Sequence, residues 1–337
     1  MSTALSAGET FAVNSPIGLV ADIGGTNVRF ALAGLTESRQ IATAFRQDMR
    51  ADDHAGLGEC IEAYLDSLGA APHPTRGVFG VASPITGDAV RLTNRDWSFS
   101  IEALKTRFGW KTLQVVNDFS IVGHAVPALC RENWRSLTGP AWPDTLPPVV
   151  SVVGSGTGLG VGAVVTGADG YRVLPTEGGH ASFAPLDALE IELLRALLRR
   201  FPRVSNERVL SGPGLENLYA AMADVRDQTS TLEGAPAILD AALRGADTLA
   251  KDTVERFALM LGGAMGDIAL VHGAQAVAIA GGIAPRMIDV LDTAAVRARF
   301  EAKGRARALL ATVPIALIAH REPALLGAAR LMFGMVR

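Results

Sequence analysis

Apolar residues in this chain form short runs that end at glycines and polar residues, and most runs have the length of a β-strand. In the first half, Ile17–Ile23, Val28–Ala33 and Gln40–Phe45 follow one another through short turns, which predicts a strand meander at the start of a mixed sheet. In the second half, Val149–Val153 and Leu159–Val165 flank a glycine-rich turn. Because the same strand–turn–strand pattern occurs once in each half, the sequence predicts a duplicated α/β architecture.

Apolar residues spaced three and four positions apart predict helices between further strands. The stretch 131–148 is rich in proline, tryptophan and polar residues, and we interpret it as the passage between two domains. The predicted helices cover 53–68, 100–108, 118–129, 186–201, 214–223, 235–243 and 246–272, with a last one from Pro323. Further strands are predicted over 77–81, 89–92, 112–116, 171–174, 276–280 and 313–318.

The composition is that of a folded globular chain: 49% of the 337 residues are hydrophobic and 19% are charged. The formal net charge is −3 and no long basic run occurs, so no nucleic-acid partner is expected. Cys60 and Cys130 lack CxxC spacing, which argues against a zinc site and against a disulfide framework and favours the reducing cytoplasm.

Neither a signal peptide nor a membrane span is expected. Residues 1–16 lack the basic start and apolar core of a signal peptide, so we interpret them as a flexible tail. Two uncharged stretches, 145–168 and 268–285, are interrupted by glycines that break the continuous apolar helix a bilayer requires. Both stretches are predicted to be buried strands and turns.

The turn after the first predicted strand has the composition of a phosphate-binding loop. It reads Asp22-Ile-Gly-Gly-Thr-Asn-Val-Arg29. Glycine at the tip lets backbone N–H groups approach an anion without interference from Cβ, and Thr26 adds a hydroxyl donor. Asp22 ends a buried strand, where an unpaired carboxylate would be costly. It either initiates the turn or holds Mg²⁺ through water beside nucleotide phosphates, and with Gly24 and Gly25 following directly we favour the second interpretation.

A second glycine-rich turn, Gly154-Ser-Gly-Thr-Gly-Leu-Gly-Val-Gly162, lies about 130 residues further along. It has neither the G-x-x-x-x-G-K-[ST] pattern nor a true G-x-G-x-x-G frame. A plain hairpin is the simpler interpretation, but alternating glycines leave one face bare and suit the close approach of a ligand. Gly281 and Gly282 close a later strand, either as an ordinary turn or as a place where an adenine ring lies flat against the backbone. Two such phosphate-binding turns suggest two domains that hold one nucleotide.

Asn117 and Asp118 lie where the strand 112–116 ends and a helix begins. Ligands of open α/β sheets bind outside the carboxyl ends of the strands. Taken alone, however, Asp118 is more readily explained as a helix N-cap than as a catalytic residue. Other polar segments of the chain change that balance.

These segments are Glu177-Gly-Gly-His180, Ser-Asn-Glu207-Arg and Thr-Asn94-Arg-Asp-Trp. As isolated residues, His180 would more often be a hydrogen-bonded core histidine and Glu207 a surface acid. Together, their carboxylates, amides and imidazole are able to bind a polyhydroxylated ligand.

At this point the motifs resemble those of the bacterial glucokinase family, within the actin/hexokinase/heat-shock-chaperone ATPase superfamily. The resemblance runs from about Ile17 to the C-terminus. It is carried, in family order, by LVADIGGTNVRFAL, ASPITGD, TNRDWSFS, VVNDFS, GSGTGLGVG, EGGHASFAP, NERVLSGPGL, AGGIAPR and ALLGAA. That many segments in one order is far more specific than any single loop.

The resemblance implies a two-domain actin-like (ribonuclease H-like) α/β ATPase fold with a central cleft. There, ATP and Mg²⁺ phosphorylate the 6-hydroxyl of glucose, giving glucose 6-phosphate and ADP, the first step of glycolysis. It implies a smaller domain over 17–128 plus 320–337, a larger one over 129–319 and a cytoplasmic homodimer.

By position, Asp118 resembles the family's general base. The residues that resemble its sugar ligands are Asn94, Asn117, Asp118, Glu177, His180 and Glu207. Those that resemble its nucleotide site are Ala21, Asp22, Ile23, Gly24, Gly25, Thr26, Gly156, Thr157, Gly158, Gly281 and Gly282, with Asp22 also facing Mg²⁺ through water.

Two other classes of function stay open. One is a related kinase for mannose, fructose or an amino sugar, because Arg95-Asp96 beside the sugar segment is a variable spot of the family. The other is a non-catalytic sugar sensor, which would usually have lost the base or gained a DNA-binding domain. The related ROK sugar kinases are disfavoured, since no cysteine-rich motif follows His180.

Overall fold

The computed structural model describes residues 3–4, 11–13, 15–83, 85–93 and 95–334, and the chain divides into two compact units. Unit 1 takes the described residues up to Arg131 and those from His320 onward, and unit 2 spans Glu132–Ala319. Among the described residues, no helix is both long and apolar enough to cross a bilayer.

The strands and helices are numbered in chain order. The strands are β1 (Thr3–Ala4), β2 (Gly18–Ile23), β3 (Asn27–Leu35), β4 (Ile41–Arg50), β5 (Arg76–Val81), β6 (Ala89–Arg91), β7 (Ser98–Ser100), β8 (Thr112–Asn117), β9 (Trp134–Ser136), β10 (Val149–Ser155), β11 (Leu159–Gly167), β12 (Gly170–Thr176), β13 (Ala276–Ala280) and β14 (Ile315–Ile318). The helices are α1 (Leu57–Ser67), α2 (Ile101–Arg107), α3 (Asp118–Ala125), α4 (Ala188–Leu198), α5 (Glu207–Leu210), α6 (Gly212–Val225), α7 (Ala235–Leu243), α8 (Thr248–His272), α9 (Ile288–Leu291), α10 (Ala294–Glu301), α11 (Arg307–Leu310) and α12 (Pro323–Gly334).

Unit 1 is built on a mixed sheet with the strand order β1-β4-β3-β2-β5-β8. Strands β2, β3 and β4 form the predicted antiparallel meander, and β5 and β8 continue the sheet parallel to β2. The central strands β2 and β5 are buried on both faces, which accounts for their largely apolar sequences, whereas β8 at the edge of the sheet is only partly buried. The short strands β6 and β7 pair separately as a two-stranded ribbon.

Both faces of the unit 1 sheet are covered. Phe30, Tyr64 and Phe79 belong to the core on the face that α1 and α2 cover, and Phe30 stacks on Tyr64 with 4.9 Å between ring centroids. On the other face, α3 and α12 bury Ile121 and Leu325 against the sheet. The C-terminal helix therefore completes the core of the unit that contains the N-terminal strands.

Unit 2 repeats this topology. Its sheet has the order β12-β11-β10-β13-β14-β9, with β10, β11 and β12 as an antiparallel meander and β13 and β14 parallel to β10. The duplicated α/β architecture expected from the sequence is therefore confirmed. The core of this unit is larger, because helices α4, α6, α7, α8 and α10 contribute Leu193, Tyr219, Ile238, Phe257 and Phe300 to it.

Several elements differ from the sequence-based expectation. The stretch interpreted as a passage contains β9, an edge strand whose Trp134 pairs with Ile318, so its partner lies far away in the sequence. The helix expected from residue 53 begins at Leu57, because Gly56 before it is fully extended. Helix α10 was not predicted. Arg297 lies on its buried face, where it donates to the carbonyls of Leu310 and Val313, and a charged residue there interrupts the apolar pattern by which a helix is recognised.

Helices α3 and α12 approach each other at Gly327. A Cβ atom at this position would lie 1.9 Å from the carbonyl oxygen of Ile121 and 3.0 Å from the amide nitrogen of Ala125. Both neighbours are backbone atoms, so no side-chain rotation relieves the overlap. The backbone position of α3 therefore depends on glycine in α12.

We expect Gly327→Ala to push α3 away from α12 and to lower the free energy of unfolding by about 1–3 kcal/mol, the usual cost of overpacking a core. Urea denaturation measures this change. Gly87→Ala is the matched control, because nothing lies within 4 Å of a Cβ atom built there. Equal stability of the two variants would contradict the close contact.

Candidate active site

The carboxyl ends of three parallel strands lie in one row of the unit 1 sheet. Ile23 of β2 pairs with Val81 of β5, and Val81 pairs in turn with Asn117 of β8. Neighbouring strands lie about 4.8 Å apart, so Ile23 and Asn117 are separated by roughly 10 Å across the sheet. The first glycine turn and Asp118, which follow these two residues, consequently lie at the same edge, where α/β sheets bind ligands.

Asn117 is the N-cap of α3, and Asp118 is the first residue of the helix. The Asn117 side-chain oxygen accepts hydrogen bonds from the backbone amides of Phe119 at 2.9 Å and Ser120 at 3.2 Å. The simpler interpretation of Asp118 as the N-cap is therefore wrong. The Asp118 carboxylate lies at the positive end of the helix dipole and accepts from the Phe119 amide at 2.8 Å.

The first glycine turn is the tip of the β2–β3 hairpin. The Gly24 amide closes it by donating to the carbonyl of Asn27 at 3.0 Å, and Thr26 at the tip is exposed. Ala21 and Ile23 are fully buried in the core, so neither presents a side chain to a nucleotide. The turn thus presents backbone and one hydroxyl group, as a phosphate site requires.

Arg95 stabilises this turn, a role for which the sequence carries no signal. Its guanidinium donates to the Gly25 carbonyl at 3.0 Å and to the Asp52 carboxylate at 2.8 Å, and it lies 4.8 Å from the centre of the Trp97 ring. Asn94, the preceding residue, lies outside the described residues. The residues on either side of it, Thr93 and Arg95, help to line a cavity of about 500 Å³.

Asp22 forms an ion pair that the sequence analysis did not foresee. The Arg29 guanidinium, directly across the β2–β3 ladder, donates to Asp22 Oδ2 at 2.7 Å. Burial alone would lower the Arg29 pKa. The charge of Asp22 and its hydrogen bond have the opposite and larger effect, so the Arg29 pKa is raised. The strand-end carboxylate is thus paired.

The residues around Asp22 fit a magnesium ion that arrives with phosphates. Among the described residues, no group of three or more His, Cys, Asp or Glu side chains is placed to hold a metal. Mg²⁺ commonly keeps several water ligands and uses one or two carboxylates together with substrate phosphates. A single carboxylate beside a phosphate turn, with one oxygen already paired, is compatible with contact through water.

The second glycine turn occupies the same place in unit 2, at the tip of the β10–β11 hairpin. Ser155 pairs with Leu159, which leaves Gly156, Thr157 and Gly158 as the tip. The Gly156 amide donates to the Gly158 carbonyl at 2.9 Å, and Thr157 is exposed. Both predicted phosphate-binding turns are therefore hairpin tips in equivalent positions of the two sheets.

Gly281 and Gly282 follow β13 and lie next to this second turn. β13 pairs in parallel with β10, so Ala280 lies opposite Gly154. Gly281 has a φ of +87°, and a Cβ atom on it would lie 2.3 Å from the carbonyl oxygen of Ser155. Only glycine fits this conformation and contact, which places the predicted adenosine segment against the base of the turn.

The Glu177–His180 segment packs on β11. Gly179 lies so close that a Cβ atom would be 2.0 Å from the carbonyl oxygen of Leu159. The side chains of Glu177 and His180 are 75% and 57% exposed, with 3.7 Å between His180 Nε2 and Glu177 Oε2. Arg203, another residue without a sequence signal, donates to the His180 carbonyl. The glycines thus hold the segment close to the turn while both polar side chains stay accessible.

Glu207 joins this group through a short antiparallel contact. Ser182 forms a β-bridge with Ser205, and the Asn206 amide donates to the Ala181 carbonyl at 2.8 Å. Glu207 Oε2 accepts from the Leu159 amide at 2.9 Å. Unit 2 therefore brings three of the predicted segments together: 177–180, 207 and the second glycine turn.

The structure thus collects the predicted residues in two groups. Unit 1 holds Asp22 to Thr26 together with Asn117 and Asp118 at one sheet edge, and unit 2 holds Gly156 to Gly158 with Glu177, His180, Glu207, Gly281 and Gly282. The contacts of three arginines were missed. Arg95 and Arg203 bind backbone carbonyls of segments that are remote in the sequence, and Arg29 meets Asp22 only because the two residues pair across the β2–β3 ladder.

Comparison with known proteins gives one consistent result. The family model described as Glucokinase matches residues 19–334. The glucokinase of Caulobacter sp. (strain K31) is 40% identical over 314 residues, which cover 93% of this chain and 94% of the relative. The crystal structure of a glucokinase from an Antarctic psychrotroph superposes with a TM-score of 0.83 at 34% identity, covering 95% of this chain and 99% of that one.

A more distant structure shares the fold. The ROK family glucokinase from Streptomyces griseus, solved in complex with glucose and AMPPNP, has a TM-score of 0.61 at 20% identity and covers 94% of this chain and 99% of its own. At this identity the likeness shows the fold alone. It supports the actin-like α/β ATPase fold expected from the sequence.

His124, in the helix that begins at Asp118, makes the stability of the protein depend on pH. Burial lowers the His124 pKa from 6.5 to about 4. The unfolded chain then binds a proton more readily than the folded one, so this contribution to stability is complete above pH 6.5 and is lost as the pH falls towards about 4. We expect His124→Gln to lose less free energy of unfolding across that interval, as measured by urea denaturation.

His272 and His320 remain in this variant, and burial lowers the pKa of each, so some pH dependence should persist. The exposed His73→Gln is the control and should behave as the unmodified protein does. A His124→Gln protein with an unchanged pH dependence would contradict the assignment.

Proposed function

The chain belongs to the glucokinase family, and on this premise we propose that Asp118 accepts the proton of the glucose 6-hydroxyl while ATP transfers its γ-phosphoryl group. ATP-dependent phosphorylation of glucose follows from the family. The part assigned to Asp118 rests on one observation: its carboxylate begins α3 at the sheet edge that also carries the first glycine turn.

A sugar hydroxyl is a weak nucleophile at neutral pH, so a positioned base assists its attack on phosphorus. Asn117 fills the N-cap position, and the Asp118 carboxylate begins the helix, with Oδ1 accepting the Phe119 amide. The helix dipole favours the ionised carboxylate, the form that accepts a proton. The backbone of α3 packs closely against Gly327 of α12, and this contact supports a constant position of the base.

The two glycine turns are proposed to hold the phosphates of ATP. Phosphoryl transfer depends mostly on the positions of the reactants and on neutralising charge, and hairpin tips with few side chains supply backbone donors at short range. Thr26 and Thr157 each add an exposed hydroxyl group at a tip. When bound, Mg²⁺ would offset phosphate charge, and Asp22 would hold it through water.

The sugar is proposed to bind Glu177, His180 and Glu207 of unit 2, with Asn117, Asp118 and Asn94 as further ligands. Carboxylates and imidazole pair with several hydroxyl groups at once. A sugar that lacks one of these hydroxyls would leave a polar group without a partner, which is the physical basis of strong discrimination. Magnesium and the homodimer remain predictions from the family resemblance.

We expect Asp118→Asn to lose on the order of 10²–10⁴ in kcat, because an amide cannot accept the proton, while glucose affinity stays within a few-fold. A coupled assay that detects glucose 6-phosphate from ATP, Mg²⁺ and glucose measures kcat. Asp66→Asn, which neutralises an exposed carboxylate of α1, is the control. Turnover by Asp118→Asn close to that of the control would end the assignment.

We also expect Glu177→Gln and His180→Ala to weaken glucose binding with little effect on nucleotide binding. Both side chains belong to the segment proposed to bind the sugar, and neither belongs to a phosphate-binding turn. Titration calorimetry with glucose and with AMPPNP separates the two affinities. A wild-type dissociation constant for glucose in either variant would refute that contact.

A further inference from the structure

The Glu207 carboxylate contacts the second glycine turn directly. Its Oε2 accepts the Leu159 amide at 2.9 Å. The same oxygen would lie 2.6 Å from a Cβ atom at Gly158, so a side chain at that position would displace the carboxylate. A charged group therefore packs directly against the backbone of the turn.

The other side of the turn is held by the same segment of chain. Ser155 donates its hydroxyl to the Leu210 carbonyl at 2.6 Å, and the Gly212 amide donates to the Gly156 carbonyl at 2.7 Å. Residues 207–212 thus bind the turn both before and after its tip. Of these three hydrogen bonds, the one from the Leu159 amide goes to a carboxylate. Hydrogen bonds to charged groups are stronger than those between neutral groups, so this one contributes most to holding the turn.

We propose that Glu207 is a positioning residue for the nucleotide as well as a ligand for the sugar. Its Oε2 fixes the conformation in which Gly156, Thr157 and Gly158 receive phosphate, while Oε1 is left to a sugar hydroxyl. One carboxylate then connects the two substrates within unit 2. The inference rests on the proposed function, because it takes the turn to be a phosphate site.

Glu177 provides the contrast. It lies in the neighbouring sugar segment, but its side chain is 75% exposed and its Oε2 lies 3.7 Å from His180 Nε2. The segment meets the turn through the backbone of Gly179. A change in the Glu177 side chain therefore alters sugar contacts without releasing the turn, whereas a change in Glu207 affects both.

Two substitutions of similar size separate the two roles of Glu207. Glu207→Gln keeps an oxygen that can accept the Leu159 amide but loses the charge, and Glu207→Met loses the acceptor altogether. We expect both to weaken glucose binding. We expect Glu207→Met to weaken Mg²⁺–AMPPNP binding without sugar by roughly 10-fold or more, the loss typical of a hydrogen bond to a charged group, and Glu207→Gln by no more than a few-fold.

The measurement is titration calorimetry of the full chain with AMPPNP and Mg²⁺ alone and with glucose alone, for these two variants and Glu177→Gln. Hydrogen exchange at the Leu159 amide measures, without any ligand, how well the turn is held. The exchange should accelerate in Glu207→Met but not in Glu177→Gln. If Glu207→Met does not fold, the smaller Glu207→Ala takes its place.

Wild-type affinity for AMPPNP together with wild-type exchange at Leu159 in Glu207→Met would overturn the inference. So would equal losses of nucleotide affinity in Glu207→Gln and Glu207→Met, because the retained acceptor would then have no effect. Failure of the unmodified protein to bind glucose would instead refute the proposed function, while the exchange result would still report whether Glu207 holds the turn.

Discussion

The site depends on the register of three parallel strands in unit 1. Because Ile23, Val81 and Asn117 pair across β2, β5 and β8, these strands end in one row. A slip of one residue would turn every side chain to the opposite face of the sheet. Both faces are packed, with Phe79 on one and Val78 on the other, so the register is strongly determined. The turn after β2 and the helix after β8 are consequently held at one edge.

The same order of strands recurs in unit 2, but the turns are braced differently. In unit 1, Arg95 holds the Gly25 carbonyl from a distant segment. In unit 2, residues 207–212 hold the second turn on both sides, and Gly281 lies against its base. Duplication therefore supplies two equivalent hairpin tips, and later segments specific to each unit fix their conformations.

Much of this arrangement could be predicted from the sequence. The apolar runs indicated most of the strands. The glycine-rich segments were correctly predicted as turns, and Asp118 as the residue at a strand end, whereas ligand binding at these places stays a prediction. The choice of helix cap could not be predicted, since Asn and Asp are equally good caps and the extended backbone of Asn117 decides between them. The contact of Arg95 with the first glycine turn could not be predicted either, because its partner Gly25 lies far away in the sequence and accepts through a backbone carbonyl.

Other elements were missed for similar reasons. Strand β9 exists because β14 offers it an edge, and its short sequence has little strand signal of its own. Helix α10 buries Arg297, which donates to backbone carbonyls at and just after the end of α11. A buried arginine interrupts the apolar pattern from which a helix is predicted. Local patterns thus identify the elements that carry their own periodicity, whereas elements stabilised by remote backbone groups require the folded chain.

The central claim is that the Asp118 carboxylate meets the reacting hydroxyl group of the sugar. A crystal structure of the protein with glucose and AMPPNP tests it most directly. The account predicts an Asp118 oxygen within about 2.6–3.2 Å of the glucose 6-hydroxyl oxygen, the distance of a hydrogen bond to a general base. A 6-hydroxyl group that instead contacts another side chain, with Asp118 directed away from the sugar, would contradict it.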